Sequence, residues 1–226
     1  MLRGRQVSCT EEASMTVVTI SRELGSRGTR IAEAVGHELD ATCIDKEVLA
    51  EMARQAGVQV EVIVEAEEKL MSRAGVVSQE MRSLFSADPN RRNRPMDQAT
   101  YVDGMTKAIR ALAERGSVVF IGRGSQLILE NHPTALHVHL YAAPAIRAGR
   151  IQRRRGMAEI GTAERIIGLA DEQRRNWYQR FFTSADWKNC RHYHLMLDTG
   201  RIPEATAVAL IVHAARTAPP DREEHT

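Results

Sequence analysis

The chain has few cysteines, few aromatic side chains and no long apolar run among its 226 residues. Its three cysteines, Cys9, Cys43 and Cys190, are an odd number without metal-ligand spacing, which argues against a disulfide scaffold and for a reducing compartment. No run approaches the roughly 18 apolar residues of a membrane span. We therefore expect a cytoplasmic protein that has no membrane partner.

The chain also lacks an excess of either charge, because 31 basic side chains nearly balance 29 acidic ones. A general nucleic-acid binder needs a positive field, and base stacking needs aromatic side chains, which make up only 4% of this chain. An interface built on the arginines at 91–94 and 153–155 is therefore disfavoured, and no specific nucleic-acid partner is expected. The arginines nevertheless cluster at 147–155 and 174–180, which indicates local anion sites.

The length allows one α/β core with a small inserted lobe. Strands alternate with helices, which predicts a five-stranded parallel sheet covered on both faces. The predicted strands are 15–20, 41–45, 117–122, 135–141 and 193–197. The first predicted helix begins at Thr29. Further predicted helices span 98–115, 144–155, 163–182 and 203–216, and Thr162 is the predicted N-cap of the helix at 163–182. We assign 15–216 to the folded domain, 1–14 to a disordered leader that makes Met15 a candidate start, and 217–226 to a disordered tail.

Near the N-terminus an apolar, β-branched strand runs into a Gly/Ser/Arg loop and then a helix. This order is typical of a phosphate-binding loop, in which glycines let backbone N–H groups converge on an anion. The standard pattern G-x-x-x-x-G-K-[ST], ending at Thr29, requires glycine at 22 and 27 and lysine at 28. The chain has Arg22, Arg27 and Gly28 instead. Arg22, Arg27 and Arg30 are candidate counter-charges for the missing lysine, and the alternative is that they are solvated surface arginines.

Two strand ends add further candidates. Arg123 follows the third predicted strand and lies between two glycines. Ligands of open α/β sheets bind outside the carboxyl ends of strands, so we expect this arginine to face the crevice. Asp45 closes the second strand in an equivalent position, where it serves equally well as a helix N-cap. His137 and His139 alternate on one strand without a third metal ligand, and we interpret them as sheet-face residues.

Two later helices carry charged side chains at helical spacing. Arg147, Arg150 and Arg154 share one helical face, where three like charges repel unless an anion neutralises them. A solvated basic face is the alternative. Asp171 and Arg174 are three residues apart on the next helix, and a plain surface pair explains them equally well.

Five sequence blocks resemble the cytidylate kinase-like family, P-loop relatives of bacterial cytidylate kinase among the nucleoside monophosphate kinases. They occur in the family's order and extend over about residues 15–212. The blocks are I-S-R-E-[YFL]-G-S-x-G at 20–28, [FY]-D-K-E-[LVI] at 44–48, V-x-G-R at 120–123, Y-A-x-x-x-x-R-x-x-R-I-x-x-R at 141–154, and D-x-x-R-x-N-[WY]-Y at 171–178 with D-W at 186–187. The second and third blocks each depart from the pattern at their first residue, Ile44 and Phe120.

The resemblance implies a three-layer P-loop fold with a helical lobe for an acceptor nucleotide at 46–100 and an arginine-bearing lid at 143–182. It implies ATP as phosphate donor and Mg²⁺ as cofactor. The implied roles are donor-phosphate binding by Gly25, Ser26, Gly28 and Thr29, a Mg²⁺ contact through the Thr29 hydroxyl, acceptor binding by Asp45, Arg123, Asp171 and Arg174, and charge stabilisation by the lid residues Arg150 and Arg154. From their place beside the loop, and not from the resemblance, we expect Arg27 to bind donor phosphate and Arg22 and Arg30 to stabilise charge in catalysis.

The chain departs from true cytidylate kinases at two places. Those enzymes keep the loop lysine, and they have D-G-R-D in the third block, where this chain has Ile121 and Gly124 at the aspartate positions. Specificity for cytosine therefore does not follow. We expect an ATP-dependent phosphotransferase, monomeric or homodimeric, that transfers the γ-phosphoryl group to a nucleoside monophosphate or other small acceptor. The alternative is a non-catalytic nucleotide-binding sensor or interaction module with a degenerate P-loop.

Overall fold

The computed structural model describes residues 16–45, 49, 98–182 and 186–217. Strands and helices alternate in this part of the chain. The elements are β1 Val17–Arg22, α1 Gly28–Glu38, β2 Thr42–Ile44, α2 Gln98–Ala113, β3 Val118–Ile121, α3 Ser125–Ile128, β4 Ala135–Tyr141, α4 Pro144–Arg155, α5 Ile160–Phe181, a 3-10 turn at Cys190–His192, β5 Leu195–Asp198 and α6 Glu204–Thr217. The predicted leader, nearly all of the acceptor-side lobe and all but the first residue of the tail lie outside the described residues.

The five strands form one parallel sheet in the order β2-β3-β1-β4-β5, which confirms the predicted sheet. β1 is the central strand, because Val17 pairs with Val118 of β3 on one side and with Ala135 of β4 on the other. The loop after β1 therefore lies at the middle of the carboxyl edge of the sheet. This is the edge at which open parallel sheets bind ligands.

Apolar side chains cover both faces of the sheet, because successive residues of a strand point to opposite sides. Val18 packs in one core with Ile31 of α1 and Ile211 of α6. Val17 packs in the other core, which includes Met105 of α2 and Phe181 of α5. Fully burying one such aliphatic side chain contributes roughly 1.5 to 3 kcal/mol to the free energy of unfolding. Burial in these two cores therefore stabilises β1 and α1, the elements on either side of the loop. Among the described helices, none is long and apolar enough to cross a membrane.

Several element boundaries differ from the sequence prediction, and those of α5 and β1 bear on the site. α5 begins at Ile160 with Glu159 as its N-cap, so the prediction of Thr162 as N-cap was wrong. The Thr162 hydroxyl instead accepts a hydrogen bond from Arg165 within the helix, at 3.1 Å. β1 continues to Arg22, which the pattern placed in the loop, because that residue still pairs with Leu140 of β4. This extension brings Arg22 to the end of the strand.

Candidate functional site

The segment between β1 and α1 turns at two left-handed residues, Gly25 with φ 87° and Arg27 with φ 62°. A Cβ atom on Gly25 would lie only 2.8 Å from the carbonyl oxygen of Arg147. Both the backbone conformation and the packing against α4 therefore require glycine at this position. Arg27 adopts the left-handed conformation at the position where the standard motif has glycine, an arrangement that costs of order 1 kcal/mol and persists only where the surroundings impose it.

The N-terminus of α1 has no side-chain cap, because its N-cap residue Arg27 makes no capping hydrogen bond. The first N–H groups of a helix have no acceptor within the helix, so those of Gly28, Thr29 and Arg30 point out of its end. No acidic residue lies in the first turn. The helix dipole and these N–H groups together form a site suited to an anion.

A cavity of about 470 Å³ opens over this helix end. Residues 22–30, with the exception of Ser26, line it together with residues of α4 and α5. Among the described residues that line it, seven are arginines and Glu23 is the only carboxylate. The arginines are Arg22, Arg27, Arg30, Arg150, Arg153, Arg154 and Arg174. This surplus of positive charge is complementary to a polyanionic ligand.

Arg27 and Arg30 both contact Glu204 at the start of α6. The Arg27 Nη1 atom lies 2.5 Å from Glu204 Oε1, and the Arg30 Nη2 atom lies 3.3 Å from Glu204 Oε2. Exposed ion pairs of this kind are worth only about 0 to 1 kcal/mol, because water and salt screen them. The contact with Glu204 is thus weak enough for either guanidinium to exchange it for an anion in the adjacent cavity.

Arg150 ties α4 to the loop. Its Nη1 atom donates to the Gly25 carbonyl oxygen and to the Thr199 hydroxyl, each at 3.2 Å. The Thr199 hydroxyl in turn donates to the Ser26 carbonyl oxygen at 2.8 Å. Arg154 lies one turn further along α4 and also lines the cavity. The structure therefore places both predicted lid arginines at the cavity, Arg150 in contact with the loop, and the role of each in phosphoryl transfer stays a prediction.

A buried ion-pair network lies behind the loop and includes two residues that sequence reasoning missed, Glu23 and Lys188. Arg147 donates two hydrogen bonds to the Asp171 carboxylate, at 2.8 and 3.1 Å, and its Nε atom lies 3.1 Å from Glu23 Oε2. The Lys188 ammonium lies 2.7 Å from Glu23 Oε1. Asp171, predicted to contact the acceptor, is thus occupied by Arg147. The signal that could have identified Glu23 is an acidic residue directly after a buried strand.

Arg22 and Arg174 lie together at the inner side of the cavity. Burial, followed by the positive charges of the nearby guanidinium groups of Arg174 and Arg123, lowers the pKa of Arg22 to about 10. The Nη1 atom of Arg174 is buried and has no hydrogen-bond partner among the described residues. Its guanidinium carbon lies 4.8 Å from the centre of the Trp187 ring. A buried guanidinium with an unused donor favours an anionic ligand at this place.

Arg123 lies on a turn made of three consecutive left-handed residues, Gly122, Arg123 and Gly124, with φ values of 78°, 60° and 65°. A Cβ atom on Gly124 would lie 2.5 Å from the Phe182 ring. The two glycines are therefore needed both for the turn and for its packing. Arg123 follows β3 at the carboxyl edge of the sheet. Asp45 follows the adjacent parallel strand β2 at the same edge.

The two strand histidines are packed into the sheet face. The His137 Nδ1 atom lies 2.9 Å from the Thr19 hydroxyl, and His139 contacts the rings of Trp187 and Tyr193. Burial, followed by the positive charge of Arg174, lowers the pKa of His139 to about 4. Across the described part of the chain, no group of three His, Cys, Asp or Glu side chains is placed to hold a metal ion.

Residues 17–201 match the model of the Cytidylate kinase-like family. The chain belongs to this family. Comparison with curated proteins finds no significant match. An uncharacterized protein from Eubacterium ventriosum ATCC 27560 has a similar solved structure, with a TM-score of 0.64, 19% identity, and coverage of 89% of this chain and 99% of that chain.

A gluconokinase from Sinorhizobium meliloti 1021 is also similar, with a TM-score of 0.50, 15% identity, and coverage of 89% of this chain and 94% of that chain. At these identities the likeness concerns the fold alone. The resemblance found in the sequence blocks is confirmed, and this member of the cytidylate kinase-like family has the fold of P-loop small-molecule kinases.

Proposed function

We propose that the protein is an ATP-dependent phosphotransferase that uses Mg²⁺ and transfers the γ-phosphoryl group to a nucleoside monophosphate or other small acceptor. The observation that supports this most is the uncapped N-terminus of α1 beneath a cavity with seven arginines. Phosphoryl transfer requires positioning and charge stabilisation more than a covalent residue. Backbone N–H groups and guanidinium groups supply both.

The donor phosphates would be held by the loop residues Gly25, Ser26, Arg27, Gly28 and Thr29. All except Ser26 line the cavity, and the Ser26 hydroxyl instead holds the turn by donating to the Glu23 carbonyl oxygen at 2.8 Å. Thr29 would contact Mg²⁺ through its hydroxyl. Protein-bound Mg²⁺ keeps several water molecules and takes substrate phosphate oxygens as ligands. The hydroxyl that ends the standard loop pattern binds this ion, and Thr29 is the residue of this chain at that position. When bound, the ion neutralises charge on the donor phosphates.

The acceptor would bind on the side of the loop that faces β2 and β3. Arg123 and Asp45 follow these adjacent strands, and Arg174 adds a buried N–H group that lacks a partner within the described residues. Asp171 would act through Arg147, which it orients by two hydrogen bonds, and not by touching the acceptor. Arg150 and Arg154 would stabilise charge on the transferred group from the opposite side, with Arg22 and Arg30 beside the loop.

A nucleotide-binding sensor without transfer activity is the second candidate. The observation that favours it is the missing loop lysine, for which position 28 has no room, since a Cβ atom there would lie 2.4 Å from the Cβ of Arg22. The arginines of α4 oppose it, because a binding module has less need of several cations around a transferring phosphate. Turnover separates the two candidates.

The test is incubation of the purified protein with MgATP and a panel of nucleoside monophosphates and small phosphoacceptors, with ADP formation as readout. Calorimetric titration with MgATP is done in parallel on the wild type, on Thr29→Ala, and on Thr162→Ala as a matched threonine control in α5, outside the cavity lining. We expect weaker binding only for Thr29→Ala. Binding without transfer to any acceptor would favour the sensor, and no triphosphate binding by a folded wild type would exclude both candidates.

A further inference from the structure

Positions 22 and 28 show an exchange of side-chain size relative to the standard loop pattern. That pattern has the smallest residue at 22 and a long cation at 28, whereas this chain has the long cation at 22 and glycine at 28. The two residues are in direct contact. A Cβ atom built on Gly28 would lie 2.4 Å from the Arg22 Cβ and 2.9 Å from its Cγ, closer than real atoms approach. Any side chain at position 28 is therefore incompatible with Arg22.

The Arg22 side chain crosses from the helix end toward β3. Its stem lies on the first residue of α1, and its Nη1 atom lies 3.4 Å from the Ile121 carbonyl oxygen. A Cβ atom on Gly122 would lie 2.6 Å from this same Nη1 atom. Two glycines, one at each end, thus make room for one arginine. The guanidinium lies between the loop, where the donor phosphates are proposed to bind, and the strand end, where the acceptor is proposed to bind.

The surroundings of Arg22 carry an excess of positive charge. Its largest electrostatic interactions are with the guanidinium groups of Arg174 and Arg123, and Asp45 offsets them only in part. The buried Nη1 atom of Arg174 has no hydrogen-bond partner within the described part of the chain. Buried like charges are unfavourable unless an anion joins them, so both arginines point to one shared anionic group.

We propose that Arg22 supplies, from the end of β1, the phosphate-binding cation that lysine at position 28 supplies in the standard loop, and that Gly28 is required because it accommodates the Arg22 stem. This inference rests on the proposed function and identifies the residue that replaces the lysine. The guanidinium binds the γ-phosphate of MgATP together with Arg174. The loop therefore keeps a phosphate-binding cation, which is Arg22 and not a lysine at position 28.

The test compares MgATP affinity and thermal unfolding for four variants and a control. The variants are Arg22→Ala, Arg22→Lys, Gly28→Lys and the double change Arg22→Gly with Gly28→Lys. The control is Arg155→Ala, which removes one positive charge from an exposed residue of α4 outside the cavity lining. Loss of a charge-assisted hydrogen bond should weaken MgATP binding by Arg22→Ala about 10- to 100-fold. Arg155→Ala should change it less than about threefold, within the range of screened surface charges.

Gly28→Lys alone should lower the unfolding temperature, because its stem overlaps that of Arg22. The double variant should recover the unfolding temperature and bring MgATP affinity back to within about tenfold of the wild type, since the clash is gone and the cation is restored at the standard position. Arg22→Lys should bind MgATP more tightly than Arg22→Ala, because it keeps the charge but loses the planar fork.

The outcomes separate this inference from the proposed function. If the wild type binds MgATP and Arg22→Ala binds it equally tightly, the assignment of Arg22 is overturned and the proposed function stands. If the double variant is no more stable and binds no more tightly than Gly28→Lys, the size exchange is overturned. Failure of the folded wild type to bind MgATP would overturn the proposed function and the role of Arg22 together, whereas the expected pattern in both measurements supports the inference.

Discussion

Replacement of Arg147 is the sharpest test of how the loop is held. This side chain is 4% exposed, and its guanidinium contacts the carboxylates of Glu23 and Asp171. It also donates to the carbonyl oxygens of Ala142 and Leu24, at 3.1 and 3.3 Å. Arg147→Ala removes all of these contacts at once and leaves two carboxylates in a largely buried setting.

The expected cost follows from the burial of the partners. Removing one member of a buried ion pair typically costs about 3 to 5 kcal/mol, because the other member stays charged and uncompensated. Lys188 remains 2.7 Å from Glu23 and 3.5 Å from Asp171, so we expect the lower end of this range, about 3 kcal/mol. For a protein of this size that corresponds to a fall in Tm of roughly 6 to 12 °C.

Chemical and thermal unfolding of the purified protein measure this change. Lys107→Ala is the matched control, because Lys107 pairs with Asp103 at 2.7 Å on the exposed surface of α2 and should cost only about 0.3 to 0.5 kcal/mol. A loss below about 1 kcal/mol for Arg147→Ala, similar to that of the control, would refute the reasoning. A second arm places Arg147→Met in a background with Glu23→Gln and Asp171→Asn, where the cost should shrink because no buried carboxylate is left unpaired.

Three further predictions concern Arg123, the two predicted lid arginines and the buried His139. Arg123→Ala should weaken acceptor binding by roughly 1.5 to 3 kcal/mol and MgATP binding by less, and equal losses would place Arg123 in the other pocket. Arg150→Ala and Arg154→Ala should each lower turnover about 10³-fold, with a smaller effect on ATP affinity. Lysine at either position should restore little turnover, because it lacks the planar guanidinium. If ATP affinity alone changes, these arginines bind the ligand and do not stabilise the transition state. Burial lowers the pKa of His139 from 6.5 to about 4, so unfolding takes up a proton between these values and stability should fall as the pH drops through that window. His139→Gln should flatten this pH dependence of stability, and an unchanged slope between pH 6.5 and 4 would contradict the assignment.

Local sequence patterns determined the elements that position the site. The bounds predicted for β4 and α4 agree with the structure. An alternation of aliphatic residues with His137 and His139 ends at Tyr141, Pro144 is pre-organised for the first helical turn, and Gly156 ends the helix in a left-handed conformation. The order of strand, glycine loop and helix likewise located the candidate phosphate site. These signals lie within a few residues of what they specify, so a single sequence contains them.

Only the tertiary structure decided which partner each charged side chain takes. The arginines of α4 share one helical face, yet Arg147 turns to Glu23 and Asp171 while Arg150 turns to the loop carbonyl of Gly25. The contact of Arg22 with Gly28 likewise depends on β1 continuing beside β4 up to its last residue. Such choices join residues that are far apart in the chain, and they follow from strand register and helix packing, which set distances that residue spacing alone does not determine.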